Sequence, residues 1–198
     1  KSKNTTFNII LIFCIKEIIS LQIIDLSEML ESSVKFLKCV RCGSKLELDV
    51  FKLEHEIKEG ILECKKCNLV FPIIDKVPIL WDDFSKYLSS RRILGGKLYL
   101  LANTGKMKKF LKFSLSKTKR INDDRTAPEE RWSKIYQSNK NSKFYSVIKK
   151  NLNFIAKSKL VLEYGCSIGI ITSYLADSHD MVFGIDRSFS ALWYAKKS

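Results

Sequence analysis

Apolar residues fall into short runs whose spacing changes along the chain. Leu69-Val70-Phe71-Pro72-Ile73-Ile74 is interrupted by Asp75-Lys76 and resumes as Val77-Pro78-Ile79-Leu80. Runs of this length around a polar pair predict two strands joined by a turn, the second opened by proline. Nearer the C-terminus Leu160-Val161-Leu162 leads into Glu163-Tyr164-Gly165-Cys166, and Met181-Val182-Phe183-Gly184-Ile185-Asp186 is a second run that also ends in an acid. Between them Ile170-Ile171-Thr172-Ser173-Tyr174-Leu175-Ala176 has helical spacing, followed by a loop at 177–180. The order strand, glycine turn, helix, strand, acid is the unit from which open parallel sheets are built. The expected fold class is therefore α/β, with a small, mostly β module ahead of the start of a Rossmann-like domain.

Two helices are expected just before that unit. Thr126-Ala127-Pro128-Glu129 is a capping-box signal, in which the threonine hydroxyl and the glutamate satisfy free amides and proline is tolerated in the first turn. It predicts a helix through about Gln137. Ser142 can start another, in which Phe144, Ile148, Leu152 and Ile155 form one apolar face and Lys149 and Lys150 point away. Trp132 and Tyr136 lie one turn apart and are expected to pack in the core or to cover a ligand.

Four cysteines add chemistry to the first module. Cys39, Cys42, Cys64 and Cys67 form two C-x-x-C pairs separated by a 21-residue insert. Each pair lets two thiolates converge from one tight knuckle, and two pairs supply four soft ligands with no open position, the donor set of structural zinc. Arg41, Gly43, Lys65, Lys66 and Asn68 give turn-forming and cationic surroundings that favour deprotonated sulfur. A redox pair would need no second pair at this distance, and disulfides would require an oxidising compartment. Cys14 and Cys166 lie outside the cluster and read as small buried residues, and His55 and His179, without ligand spacing, as surface residues.

Together with Leu37-Lys38-Cys39, Leu46-Glu47-Leu48 and the Phe71-Pro72-Ile73-x-Asp75-x-Val77-Pro78-x-Leu80 tail, residues 36–81 resemble the Trm112-like zinc-ribbon family. Lys76 stands where that family often has glycine. The resemblance implies a structural zinc held by Cys39, Cys42, Cys64 and Cys67, and a docking or stabilising role. In the second module Val161-Leu162-Glu163-x-Gly165-Cys166-x-x-Gly169, with Gly184-Ile185-Asp186-x-Ser188 further on, resembles motifs I and II of class I S-adenosylmethionine-dependent methyltransferases. That resemblance implies S-adenosylmethionine as cofactor: Glu163 orienting its methionine end, Gly165 and Gly169 allowing a close turn, and Asp186 holding the ribose. Ser167 stands where many members have glycine, and Tyr164 and Ile168 read as packing residues. On the residues alone, Gly165 and Gly169 also read as turn and packing residues, and Asp186 as a cap for a helix near Ser188. A dinucleotide cofactor is the rival on the same fold, and a ribbon adaptor that activates a separate methyltransferase is the rival in a different class. No catalytic residue and no methyl acceptor can be named.

The chain of 198 residues carries a net charge of +14, and its location is informative. Residues 85–159 have twenty basic and four acidic side chains, while the rest is close to neutral. With Tyr99, Phe110 and Phe113 among the lysines, this stretch reads either as a guide for an RNA backbone or as a solvated helical face with its aromatic residues turned inward. The expected organisation is an extension over 1–30 whose first 28 residues read as upstream sequence ahead of Met29, a ribbon over 36–81, a basic linker over 85–125, and the methyltransferase start over 126–198. The apolar run Ile9–Ile15 is too short to span a membrane, so no membrane association and a cytoplasmic location are expected. Opening at Lys1 and closing in the helix after the second parallel strand, the chain reads as a fragment. Such a start is expected to leave apolar faces such as Met181-Val182-Phe183 uncovered.

Overall fold

The computed structural model describes residues 21–25, 31–119, 123–152 and 154–197. The readings that concern Cys14, Ile9–Ile15 and Met29 lie outside these residues. The ribbon begins with a short helix α1 (Glu31–Val34) and is built on β2 (Glu47–Leu53), β3 (Ile57–Cys64), β4 (Leu69–Ile74) and β5 (Val77–Leu80), all antiparallel. The expected turn at Asp75-Lys76 closes a two-residue hairpin in which Ile74 faces Val77. Both turn residues have positive φ, 45° and 73°, as the hairpin's twist demands.

The second unit is β6 (Val161–Tyr164), α7 (Ile170–Ala176) and β7 (Val182–Asp186), with β6 and β7 parallel, followed by α8 (Phe189–Ala195). A further strand, β1 (Leu21–Asp25), falls within the stretch read as an extension. It lies antiparallel to both β5 and β7, so the described strands form a single sheet in the order β2-β3-β4-β5-β1-β7-β6.

The basic stretch between the units is helical: α2 (Phe84–Ser89), α3 (Arg92–Leu101) and α4 (Gly105–Ser116), then α5 (Thr126–Ser138) and α6 (Lys143–Leu152). These helices do more than connect. Tyr87, Leu94, Leu98, Met107 and Leu111 share a core with Ile74, Val77 and Ile79 of the hairpin and with Phe189 and Leu192 of α8. Gly95 makes room for this packing, because a Cβ there would come within 2.5 Å of Leu115 Cδ2. On the other side of the sheet Leu37, Cys39, Cys64, Phe71 and Ile73 pack with Phe183 and Ile185 of β7. The expectation of uncovered faces is thus corrected: Val182 and Phe183 are buried and Met181 is half-buried.

Four other expectations change. Thr126 and Glu129 do not form a capping box. The Thr126 hydroxyl accepts the Leu94 N–H at the start of α3, and Glu129 grips Arg91 through Nε at 3.1 Å and Nη2 at 2.6 Å. Trp132 and Tyr136 are not in the core; they stack on each other at the surface, with Trp132 57% exposed. His179 is buried, 1% exposed, and its Nδ1 accepts the Ser158 N–H at 3.0 Å. The apolar face expected on α6 is covered only in part: Leu152 packs against the α7 layer while Phe144 and Ile155 remain exposed.

Arg91 is 2% exposed, and Tyr87 lies against its guanidinium at 4.3 Å. Removing only the carboxylate of such a pair strands a buried charge. Glu129→Ala is therefore expected to lower the unfolding free energy by about 3–5 kcal/mol, read by urea denaturation. A loss within the range of an exposed ion pair would show that Arg91 does not depend on it.

Candidate metal centre and strand-end site

Each C-x-x-C pair sits on a knuckle whose backbone is fixed locally. In the first, between α1 and β2, the Gly43 N–H donates to Cys39 O at 2.8 Å, the Cys39 N–H donates to Ser44 O at 2.9 Å, and Gly43 takes φ +68°. In the second, Cys64 ends β3, Leu69 opposite it starts β4, and Asn68 takes φ +53°. The two knuckles bring the four sulfurs within 4.8 Å of one another, with Cys42 and Cys64 at 3.5 Å. A tetrahedral zinc at about 2.3 Å from each sulfur places them roughly 3.8 Å apart, so the four residues fit the ion. Cys39 and Cys64 are buried, and Cys42 and Cys67 are half-buried.

Cys39, Cys42 and Cys67 are not equivalent. The Ser44 hydroxyl beside Cys42 brings that thiol down to about 6. Its hydrogen bond with Cys42 pushes Cys67 up to about 12, and burial raises Cys39. Among these three, Cys42 gives up its proton most readily and is the natural first ligand for a cation, since each thiol must lose its proton to bind. Ser44, directly after the glycine of the first knuckle, was not singled out in the sequence.

The second candidate site lies at the C-terminal ends of β6 and β7. Three residues in the turn after β6 have positive φ: Gly165 (74°), Ser167 (51°) and Gly169 (72°). Gly165 is exposed, and a Cβ added there would meet nothing within 4 Å. Glu163 faces α7 and accepts a hydrogen bond from the Thr172 hydroxyl, and burial pushes its carboxyl above the usual range. Asp186 accepts the Ser167 N–H at 2.9 Å on one oxygen and the Ser188 N–H at 2.8 Å on the other. Ser188 in turn caps α8 through the Ala191 N–H and donates its hydroxyl to Glu129. Glu163 and Asp186 thus lie on the two parallel strands, and Gly165 and Gly169 on the turn that leads from β6 into α7.

Several roles here were not legible. Gly184 is required for packing, since a Cβ would come within 2.7 Å of Cys166 Sγ and 2.9 Å of Thr172 Oγ1. Thr172 is one of three successive hydroxyl residues on α7, with Ser173 and Tyr174, a weak signal. Arg91 and Glu129 are linked to the turn only through the fold. Cys166 is buried as expected, and burial holds its thiol well above the ordinary value.

The cysteine knot and its antiparallel hairpins define a zinc-ribbon type of module. A family described as Trm112p-like protein matches residues 34–75, so this segment is a Trm112-like domain. No curated protein matches the chain. No described helix is long and apolar enough to cross a membrane.

One zinc per chain is expected by native mass spectrometry, with Cys64→Ser abolishing it and a chelator collapsing the ribbon's amide spectrum. Protons compete for the thiolates, so zinc affinity should fall as pH falls from 8 to 6. A second expectation concerns Glu163. Its raised carboxyl means that the charged form is disfavoured in the fold, so the group weakens the protein above its folded value and the penalty disappears as pH falls through it. Glu163→Gln should raise the melting temperature at pH 7 and change it little at pH 4, as checked by calorimetry at both values.

Proposed function

We propose that the β6-turn-β7 unit is the cofactor-binding start of a class I S-adenosylmethionine-dependent methyltransferase, and that the Trm112-like ribbon is the module that covers and stabilises it. The observation that supports this most is the left-handed turn at Gly165, Ser167 and Gly169 beside Asp186, at the C-terminal ends of two parallel strands. Ligands of open α/β sheets bind at such strand ends. The residues fit the group: the turn is open above Gly165, Glu163 has lone pairs left after its bond to Thr172, and Asp186 keeps lone pairs that its two backbone donors do not use. In this reading Glu163 orients the methionine end, Gly165 and Gly169 let the backbone approach, and Asp186 receives the ribose hydroxyls. The cofactor supplies a methyl already activated on sulfonium, so the protein's part is alignment of acceptor and methyl.

The alternative is an adaptor that serves a separate methyltransferase. It draws on the family match, which lies wholly within the ribbon. Calorimetry with S-adenosylhomocysteine separates the two. The preferred reading expects binding by the chain, weakened about 10- to 150-fold by Asp186→Asn, the cost of a hydrogen bond to a charged group. No binding by the native chain would favour the adaptor, and displacement by NAD would favour a dinucleotide.

A further inference from the structure

The geometry points to the outer face of α4 as a binding surface for single-stranded nucleic acid, an inference that does not depend on the proposed cofactor site. From Phe84 to Asn122 the chain carries eleven lysines and arginines and no acidic residue. Some of these have structural partners: Arg91 is paired with Glu129, Lys97 with Glu130 at 2.5 Å, and Lys106 reaches Asp49 at 4.0 Å. Lys108, Lys109 and Lys112 on α4 and Lys117 at its C-cap have no acidic partner among the described residues.

The arrangement is costly for an isolated helix. Met107, Leu111 and Ser114 face the core, which turns Lys109, Lys112, Phe113 and Ser116 outward. Lys108 and Lys112 are like charges one turn apart, and Lys106 and Lys108 lie in the first turn, where the helix dipole opposes cations. An external polyanion would offset both penalties. Phe113 narrows its nature: the residue is 59% exposed, with the Lys117 ammonium 3.9 Å from the ring centroid, so an exposed ring and a cation stand together. A lysine face around an exposed ring is the pairing that holds a phosphate backbone while a base stacks. Duplex bases offer no free face, and an acidic peptide would leave the ring unused. Insertion into a lipid surface needs an apolar stripe, and that of α4 is already spent on the core.

The test uses the full zinc-loaded chain and anisotropy of fluorescent, unstructured RNA and DNA strands of about 12 nucleotides, with duplexes and phosphatidylserine vesicles as competitors. Four phosphate contacts give an expected salt slope near about −3. Lys109→Glu with Lys112→Glu should weaken binding by about tenfold or more and make the slope shallower. Phe113→Ala should weaken it about 5- to 150-fold and leave the slope unchanged. All three side chains are exposed, so circular dichroism should show an intact fold in each variant. Preference for RNA over DNA would assign the sugar as read, and equal binding would assign the shared backbone and bases. Native affinity in either variant, or tighter binding of duplexes or vesicles than of single strands, would overturn the proposal.

Discussion

Phe183 and Ile185 need a cover that their own strand-helix-strand unit cannot provide. Successive residues of β7 point to opposite faces of the sheet, and α7 lies on the face of Val182 and Gly184, where Gly184 gives Thr172 and Cys166 the room they need. The other face is taken by the ribbon, whose Leu37, Phe71 and Ile73 close over Phe183 and Ile185, with Phe36 edge-on to Phe183 at 6.0 Å. Full burial of such side chains contributes about 1.5–3 kcal/mol each. Cys39 and Cys64 belong to the same cluster. The cysteine knot and the strand that ends in Asp186 therefore share one core, and β1 joins the ribbon's β5 to that same strand in one sheet.

Polar contacts add to this packing, and in each case an acid from one part accepts from a donor of another. Glu59 of β3 is buried, which pushes its carboxyl up, yet bonds from Asn103 and Thr104 at the start of α4 outweigh this and hold it below the usual range. Glu56, beside β3, pairs with Lys76 at 2.7 Å and with the buried Lys196 at the end of α8 at 2.9 Å, while the Trp193 indole donates to Asp75 at 2.7 Å. Arg91 and Glu129 tie α3 and α5 to Ser188. Buried ions of this kind add specificity of arrangement more than net stability, because desolvation consumes most of what the pairing contributes. They link the ribbon to the start of α4 and to α8.

Local chemistry was legible in the sequence wherever it acts over a few residues. The two knuckles, the hairpin at Asp75-Lys76, the helix over Ile170–Ala176 and the acid-ended strand at Asp186 all have near-neighbour causes, and the structure has them at the expected places. What could not be read depends on contacts far apart in the chain. Thr126 and Glu129 have the spacing of a cap, but a buried arginine 38 residues away is a stronger partner for the glutamate than a backbone amide on the helix surface. His179 carries no mark of burial, since its partner is the Ser158 amide 21 residues away, on the far side of β6 and α7 in the chain. The lysine-rich stretch resembles a linker because charge is visible and the inward stripe of α2–α4, from Tyr87 to Leu111, is spread thinly between the lysines.

Two positions where the resemblances place glycine show how this chain manages without it. Lys76 and Ser167 both take positive φ, a conformation that costs a side-chain-bearing residue about 1–2 kcal/mol. At Lys76 the compensation is visible: its N–H donates to Lys58 O at 3.0 Å and its ammonium meets Glu56. At Ser167 it is the Asp186 carboxylate that accepts the N–H and so holds the turn in its left-handed form. A carboxylate has about four lone-pair directions. Two backbone donors, Ser167 and Ser188, fix the plane of Asp186 and leave the other directions open. In the proposed cofactor site these bonds orient the acid without filling it, so the loss of glycine from the turn is offset by the group that the turn is there to present.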